Sequence, residues 1–320
     1  MTRRALVTGV GGFIGSSIAR ALLQRDWIVR GVDNFMSGDE RDVPAGVDLL
    51  TGDLRDLEVA RAACEGAEVV WHQAAVRNVA RSVDDPLLTN SCNVTASLHV
   101  LMAADEAGVS RVIYASSSSV YGEVGGPASV EDQTPSPRSP YAVAKLTAEQ
   151  YCRVWTGIKG LSTVSLRYFN VFGPGQNPES KYSAVFPGFI SALTEGRAPE
   201  VHWDGEQSRD FTYIDDVVRA NILAADADSR SDGAVFNIAG GTERSVNDVL
   251  QAVSKAVGTW IEPTRTPMRA GDVRRSRANI SRAKDLLGWE PEARWEEAVA
   301  ATVEWFLRRK VPVGSESEGA

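Results

Sequence analysis

The stretch that decides the fold is Thr8-Gly9-Val10-Gly11-Gly12-Phe13-Ile14-Gly15, in which glycines recur three residues apart at positions 9, 12 and 15. It follows the apolar segment Ala5 to Val7 and leads into an amphipathic segment that ends near Gln24. Glycines at a strand-to-helix turn let the backbone approach a pyrophosphate, and the free N–H groups at the helix start favour negative charge. The stretch therefore predicts a strand, a dinucleotide-binding turn and a helix.

An acidic residue follows the second predicted strand. Asp33 lies 18 residues after Gly15, where its carboxylate can accept hydrogen bonds from both ribose hydroxyls and would repel a 2′-phosphate. This spacing favours NAD over NADP, although Asp33 followed by Asn34 would also suit an ordinary strand-end turn. Asp53 and Leu54, after the third predicted strand, are expected at the edge of the adenine.

Outward from the glycine turn, short apolar runs alternate with amphipathic stretches. The predicted sheet strands are 5–7, 28–32, 48–50, 69–71, 111–115, 162–166 and 235–238, with a further strand-like segment at 210–214. The predicted helices are 13–24, roughly 86–107, 141–155, 185–193, one from 215, 246–257 and 295–308. This alternation predicts an α/β fold with a doubly wound parallel sheet covered by helices on both faces.

The rhythm of the chain changes after Gly173, because glycine, proline, asparagine and serine cluster from there to Ser183. We predict a dinucleotide-binding domain over residues 1–172, to which a strand and a helix near 215–258 return. Residues 173–320 are expected to form mainly a smaller substrate-binding subdomain. The segment 311–320 is rich in Gly, Ser and Glu and is expected to be a disordered tail.

The composition excludes several classes of protein. The 320 residues include 43% hydrophobic and 24% charged side chains, which is typical of a soluble globular chain. The net charge of −8 argues against a nucleic-acid or membrane partner. The three cysteines contain no Cys-x-x-Cys pair, which favours a reducing, cytoplasmic setting. The three histidines lie far apart, so we predict no metal site.

A tyrosine and a lysine stand four residues apart, at Tyr141 and Lys145. On a helix their side chains share one face, although an exposed helix surface would show the same spacing. An ammonium group beside a phenol lowers the phenol's pKa, which suits it to proton transfer near neutral pH. The hydroxyl-rich run Ser116 to Ser119 closes the fifth predicted strand, at the end where ligands bind in open α/β sheets.

In this order, the glycine turn, the acidic residue, the serine run and the Tyr-Lys pair make the chain resemble the extended short-chain dehydrogenase/reductase family over nearly its whole length. The resemblance implies a Rossmann-type fold, an NAD cofactor and a catalytic set of Ser117, Tyr141 and Lys145. The residues then expected to bind the cofactor are Gly9, Gly12, Phe13, Ile14, Gly15, Asp33, Asn34, Asp53, Leu54, Ala74, Ala75, Asn93, Ser116, Tyr141, Lys145 and Phe169.

The segment Arg167 to Pro174 is similar to the sugar-nucleotide branch of this family, and so are Ser208 to Tyr213 and residues 269–272. The resemblance implies that Asn170 contacts a substrate diphosphate, and forked arginine donors in the other two segments suit the same group. The residues expected to bind the substrate are Ser117, Ser118, Tyr141, Asn170, Ala184, Val185, Phe189, Arg209, Arg269, Asp272 and Ser276.

Within this branch the chain looks most like the UDP-hexose 4-epimerases, since it lacks the Thr-Asp-Glu that dTDP-sugar dehydratases carry near Ser117. The resemblance implies that Tyr141 takes the 4-hydroxyl proton while NAD accepts the C4 hydride, which returns to the other face of the 4-keto sugar. Ser276 matches a position where a bulky Tyr limits these enzymes to glucose and galactose forms. A small residue there predicts UDP-N-acetylglucosamine and its galacto form, with UDP-glucose left open, although Ser276 also suits an ordinary loop.

Other readings stay open at this point. A UDP-glucuronate 4-epimerase or decarboxylase of the same branch would need extra donors near the sugar carboxylate, and the sequence does not locate them. A catalytically silent NAD- and UDP-sugar-binding sensor would keep the fold, but the intact catalytic set argues against it. Trp203 departs from the Gly usual in the branch. The resemblance further implies a homodimer formed through helices 93–107 and 141–155.

Overall fold

The computed structural model describes residues 2–77, 79–123, 126–177, 185–268 and 273–310. The strands are β1 (Arg4–Thr8), β2 (Ile28–Asp33), β3 (Asp48–Thr51), β4 (Val69–His72), β5 (Arg111–Ser117), β6 (Ser162–Tyr168), β7 (Val171–Phe172), β8 (Glu200–His202), β9 (Ser208–Asp210), β10 (Thr212–Tyr213), β11 (Ala234–Ile238), β12 (Glu243–Ser245), β13 (Thr264–Thr266) and β14 (Arg275–Ser276). The helices are α1 (Phe13–Leu23), α2 (Leu57–Cys64), α3 (Val79–Asp84), α4 (Pro86–Asn90), α5 (Ala96–Glu106), α6 (Pro140–Lys159), α7 (Val185–Thr194), α8 (Ile214–Asp226), α9 (Val246–Val257), α10 (Ser281–Leu287) and α11 (Trp295–Lys310). None of these helices is long and apolar enough to cross a membrane.

The central sheet has seven parallel strands in the order β11-β6-β5-β4-β1-β2-β3. The chain adds β2 and β3 on one side of β1 and then builds β4, β5 and β6 on the other, so the strand order reverses between β1 and β4. Ligands of open α/β sheets bind outside the carboxyl ends of the strands at such a reversal. The predicted doubly wound parallel sheet is confirmed.

Each face of the sheet is covered by its own apolar core. In β1, Val7 packs into the core that contains α1 and α8 residues, whereas Leu6 packs into the core that contains α2, α5 and α6 residues. A strand covered on both faces is apolar at successive positions, which explains why these strands are visible as apolar runs in the sequence.

A third core lies beyond the sheet and joins α7, α9 and α11. Aromatic side chains dominate it, with Phe172 stacked on Phe186 at a ring-centroid distance of 4.3 Å and Trp295 packed against both. This core supports two small sheets, β12-β9-β14 and β13-β8. Residues that follow the change in composition at Gly173 therefore pack around this third core.

Long elements match the sequence-based boundaries closely, and short ones do not. The helix expected over 86–107 consists of α4, a π-helical turn at Ser91–Thr95, and α5. The strand expected at 210–214 is instead the end of β9, the short β10 and the first residue of α8. The predictions contained no counterpart of α2, α10, β8 or β12 to β14, because such short pieces give almost no periodic signal.

Candidate active site

The turn between β1 and α1 depends on glycines that leave no room for a side chain. Gly9 has a left-handed φ of +66°, and a Cβ there would lie 2.8 Å from the Ala74 nitrogen. A Cβ on Gly15 would lie 2.1 Å from the Gly9 carbonyl oxygen. Gly12 caps α1 without a side-chain hydrogen bond, so the first N–H groups of the helix are left to bind an anion. The turn therefore fits the pyrophosphate of a dinucleotide.

Asp33 ends β2 and holds this turn in place. One carboxylate oxygen accepts a hydrogen bond from the Gly11 nitrogen at 2.9 Å, and the other accepts from the Phe35 nitrogen at 2.8 Å. Each carboxylate oxygen can accept a second hydrogen bond. The side chain is therefore able to bind both hydroxyls of a ribose placed beside the turn.

A second acidic residue lies next to this position. Asp53 accepts a hydrogen bond from Asn34 at 3.0 Å and pairs with Arg55 at 2.6 Å. The hydrogen bond from Arg55 lowers the pKa of Asp53 to about 2, so the carboxylate is ionised at all ordinary pH values. The neighbouring Leu54 is buried. Their expected contact with the adenine stays a prediction.

The loop after β4 is tied to β1 through one hydroxyl. The Oγ1 of Thr8 accepts hydrogen bonds from the backbone nitrogens of Gln73 at 3.1 Å and Ala74 at 3.0 Å, and it lies 2.8 Å from Nδ1 of His72. Ala74 and Ala75 are half-buried beside the glycine turn. Sequence reasoning missed Thr8 and His72, which are opposite each other only through the strand register.

Two of the expected cofactor-lining residues are enclosed by protein. Asn93 is 1% exposed, and its amide both accepts from the Val76 nitrogen at 2.7 Å and donates to the Val76 carbonyl at 2.9 Å. Phe169 is fully buried, and its carbonyl accepts the Thr212 hydroxyl at 2.5 Å. Both residues therefore hold the backbone around them, and their expected contact with a cofactor stays a prediction.

Ser117, Tyr141 and Lys145 converge at the carboxyl end of β5. Ser117 is the last residue of that strand, and the other two lie in the first turns of α6, which packs against it. The ammonium group of Lys145 donates to the Ala115 carbonyl at 2.7 Å. The hydroxyl of Ser117 accepts from the Ser119 nitrogen at 3.2 Å and from the Ser119 hydroxyl at 2.9 Å. The three side chains expected to be catalytic thus form one cluster.

Burial controls the proton affinity of this cluster. It raises the pKa of Tyr141, while a hydrogen bond with Ser117 and the positive charge of Arg77 act in the opposite direction. It also lowers the pKa of Lys145 to about 7, against the attraction of the Glu149 carboxylate. Desolvation of the phenolate outweighs the nearby charges, so the net shift of the Tyr141 pKa is upward, and the expected contribution of the lysine stays a prediction.

The serine run divides between two environments. Ser116 is 3% exposed, and its hydroxyl donates to the Glu149 carboxylate on α6. Successive strand residues point to opposite faces, so Ser116 and Ser117 cannot both face one pocket with their side chains. Ser117 and Ser118 are half-buried at the open end of the sheet. The hydroxyl of Ser116 is therefore already hydrogen-bonded to Glu149, a residue that the sequence analysis did not identify.

Three residues expected to bind substrate meet at the small sheet β12-β9-β14. In its register Ser276 stands directly beside Arg209 on the neighbouring parallel strand. Asn170, with an unusual φ of +23°, donates from its amide to the Asp210 carbonyl at 3.2 Å. The fold therefore brings together groups from three separate segments of the chain, close to the carboxyl end of β6.

Helix α7 contributes Val185 and Phe189 to the other side of this region. Phe189 is 3% exposed and packs within the third core, whereas Val185 is only partly buried. Val185 is thus the better placed of the two to contact a ligand. Three further residues expected to bind substrate, Ala184, Arg269 and Asp272, lie outside the described residues.

Trp203 occupies a backbone position that suits glycine. Its φ of +59° lies in the left-handed region, and its nitrogen donates to the Thr266 carbonyl at 2.7 Å. The guanidinium of Arg274 lies 4.3 Å from the centre of the indole ring and also bonds both oxygens of Asp204 at 2.9 Å. The indole and the guanidinium therefore cover each other at the surface, which accommodates the departure from Gly.

Comparisons with known proteins agree with this fold. Residues 5–239 match the model of the NAD dependent epimerase/dehydratase family. A UDP-glucose 4-epimerase of Mycolicibacterium smegmatis is 36% identical over 96% of this chain and 99% of its own. The UDP-N-acetylglucosamine 4-epimerase of Methanobrevibacter ruminantium, solved with UDP-N-acetylmuramic acid, is 37% identical, covers 96% of this chain and 99% of its own, and has a TM-score of 0.91. The UDP-glucose 4-epimerase of Thermus thermophilus, solved with NAD, is 35% identical, covers 96% and 100%, and has a TM-score of 0.89.

Proposed function

The chain belongs to the NAD dependent epimerase/dehydratase family and uses NAD, and we propose that it interconverts UDP-hexoses that differ in configuration at C4. The observation that carries the proposal is the cluster of Ser117, Tyr141 and Lys145 at the end of β5. The glycine turn lies two strands away, at the same edge of the sheet. A cofactor bound by the turn can therefore extend its reactive end to the hydroxyl cluster.

In the proposed reaction Tyr141 takes the proton of the 4-hydroxyl and later returns it. NAD, when bound, supplies the hydride acceptor for C4 and gives the hydride back, so the reaction involves no net oxidation. Ser117, which lies in the same cluster as Tyr141, holds the sugar oxygen in line for proton transfer. The ammonium of Lys145 stabilises the phenolate form of Tyr141, which exists before the first of these two transfers and again after the second. Rotation of the flat 4-keto sugar between them inverts C4.

We propose that Asn170 and Arg209 bind the diphosphate and that Ser276 borders the sugar. Their meeting at β9 and β14 supports this assignment, since a forked guanidinium suits a diphosphate. Val185 and Phe189 are proposed near the uracil. Ala184, Arg269 and Asp272 are assigned to the same site on the resemblance alone.

The preferred substrate is proposed to be UDP-N-acetylglucosamine, with UDP-glucose as a second substrate. Ser276 is half-buried, and a small side chain at this position supports a substrate with a 2-acetamido group. The similarity to the Methanobrevibacter enzyme supports this substrate, while the similarity to the Mycolicibacterium and Thermus enzymes supports UDP-glucose.

A turnover panel tests the function. The purified protein is incubated, without added NAD, with UDP-N-acetylglucosamine, UDP-glucose or UDP-glucuronate, and the C4 epimers are separated by chromatography. We expect interconversion of the acetamido sugar and slower interconversion of UDP-glucose, with retained NAD as the cofactor. Turnover of UDP-glucuronate alone would replace the substrate assignment. Tight binding of NAD and UDP without any turnover would favour the sensor.

We further propose a homodimer in a reducing, cytoplasmic setting, with a division between cofactor and substrate regions near residue 172. Exposed apolar side chains on neighbouring helices support the dimer, namely Val83, Leu87, Val143, Val154 and Ile158. They lie on α3, α4 and α6, which pack together. The buried, unpaired thiols of Cys64 and Cys152 support the reducing setting.

A further inference from the structure

A buried carboxylate lies one helical turn beyond the catalytic lysine. Glu149 is 2% exposed and follows Lys145 by four residues on α6, so both side chains face the same side of that helix. Lys145 donates to the Ala115 carbonyl, and Glu149 accepts the hydroxyl of Ser116. Side chains of α6 therefore bind Ala115 and Ser116, the two residues of β5 immediately before Ser117.

The same carboxylate is bound by a buried arginine from the next strand. On β6, Arg167 donates from Nε to one oxygen of Glu149 at 2.9 Å and from Nη2 to the other at 2.7 Å. The two side chains are 3% and 1% exposed. The guanidinium also lies 4.6 Å from the ring centre of Tyr121. Glu149 therefore joins α6, β5 and β6 at the point where the catalytic residues emerge.

The charges of this group do not cancel. Glu149 carries one negative charge, whereas Arg167 and Lys145 each carry a positive charge, so a single positive charge remains when all three are ionised. Although Glu149 is paired with Arg167, its negative charge still favours the ammonium form of Lys145, whereas burial disfavours that form. Among the described residues, the other titratable groups near Lys145 are Tyr141 and Cys152 on α6, Tyr114 on β5 and His72 on β4.

We propose that Glu149, held by Arg167, is a positioning residue of the reaction: it fixes the end of β5 that presents Ser117 and it keeps Lys145 protonated. The inference rests on the proposed epimerase mechanism. Stability alone does not account for the arrangement, because a buried ion pair is often no more stabilising than apolar residues of the same volume. The shared contacts with Ser116 and the shared helix face with Lys145 give the carboxylate a place in the site.

Two substitutions separate the two roles. Glu149→Gln removes the negative charge, so Lys145 should release its proton at lower pH, and the alkaline limb of the kcat profile should move toward acid by about one unit. Glu149→Asp keeps the charge but shortens the side chain. It should lower kcat about tenfold by loosening the end of β5, with KM and the pH profile unchanged.

The matched control is Asp232→Asn, which breaks the ion pair between Asp232 and Arg111 at the opposite end of β5. It should reduce stability without moving the pH profile. An unchanged profile in Glu149→Gln would show that the carboxylate is only structural. If that variant does not fold, Glu149→Asp and Ser116→Ala decide, since unchanged kcat in both would overturn the proposal.

A second measurement keeps this test separate from the epimerase assignment. Ultraviolet difference titration of the NAD-loaded protein, with Tyr141→Phe as reference, measures the phenolate without any turnover. The phenolate should form at higher pH in Glu149→Gln, because a neutral Lys145 no longer stabilises it, and at the wild-type pH in Asp232→Asn. If the wild type turns over no UDP-sugar, the epimerase proposal fails while this titration still decides the role of Glu149; identical titrations would overturn that role.

Discussion

Ser276 and Arg209 stand side by side in the register of β14 and β9, although 67 residues separate them in the chain. A substituent on Ser276 would therefore grow into the space next to the guanidinium proposed to bind the diphosphate. The two strands are held by backbone hydrogen bonds, including one from the Ser208 nitrogen to the Arg274 carbonyl at 3.0 Å. Movement of the strand therefore cannot easily relieve a clash caused by a larger side chain at position 276.

Ser276→Tyr should therefore reduce turnover of UDP-N-acetylglucosamine about ten- to a hundred-fold, since a steric misfit of this kind costs a few kcal/mol. Turnover of UDP-glucose, which lacks the acetamido group, should change little. The measurement is kcat/KM on both substrates, with Ser276→Ala as the control that should preserve both activities. Equal losses on the two sugars in Ser276→Tyr would contradict a role in sugar selection.

The β1–α1 turn owes its shape to close backbone contacts, so its glycines act together as one element. Gly15→Ala should lower the content of bound NAD and destabilise the protein by about 1–3 kcal/mol, because the new methyl would overlap the Gly9 carbonyl. NAD content by absorbance and the thermal midpoint measure the two effects. Gly188→Ala in α7, where a Cβ meets nothing within 4 Å, is the control. It should leave NAD content unchanged, and a similar loss there would refute the clash.

His72 at the end of β4 connects three elements, since its ring lies 2.8 Å from the Thr8 hydroxyl on β1 and 2.9 Å from the Ser97 hydroxyl on α5. Burial lowers its pKa to about 3. The unfolded chain binds a proton at this residue from pH 6.5 downward, while the folded chain resists it until near pH 3. Stability supported by neutral His72 is therefore complete above pH 6.5 and is lost as the pH falls toward 3.

His72→Gln should accordingly flatten the fall in unfolding free energy between neutral pH and about pH 4, by up to about 3 kcal/mol. Urea unfolding at a series of pH values measures this slope. His202→Gln, at a partly exposed histidine on β8, controls for the loss of a histidine elsewhere. A slope as steep as that of the wild type in His72→Gln would show that other groups cause acid unfolding.

At the scale of the whole molecule, an apolar surface is left uncovered by the residues that the structure describes. On α6 the exposed Val143, Val154 and Ile158 follow a helical spacing, and Leu87 on α4, 82% exposed, lies on a helix that packs against α6. Contiguous exposed apolar residues are typical of association surfaces. The helix expected at 93–107 exposes Ala107 but has its larger apolar side chains at least partly buried, so the surface runs from α6 onto α4.

Leu87→Glu combined with Ile158→Glu should convert the proposed dimer to a monomer, because charges would be buried without partners in an isologous interface. Light scattering after size exclusion measures the mass. Trp260→Glu, at a residue that is 58% exposed elsewhere, should leave the mass unchanged. A wild-type mass equal to one chain would reject the dimer.

Most of the central sheet and part of the site are predictable from local patterns. The strands are buried on both faces and so appear as apolar runs, and the glycine turn is encoded within eight consecutive residues. Tyr141 and Lys145 share a helix face because their spacing matches the helical period. The short strands β8 and β12 to β14 were not predictable, since they form only where distant segments supply partners.

The sequence by itself therefore determines the sheet, the glycine turn, the Tyr-Lys pair and the family, because each is written in residues close together in the chain. Strand register and burial depend on packing between distant segments. Only the folded structure reveals Ser276 beside Arg209, Thr8 beside His72, and Glu149 between Ser116 and Arg167. For the same reason only the folded structure shows that desolvation raises the pKa of Tyr141, since desolvation is a property of the surroundings and not of the motif.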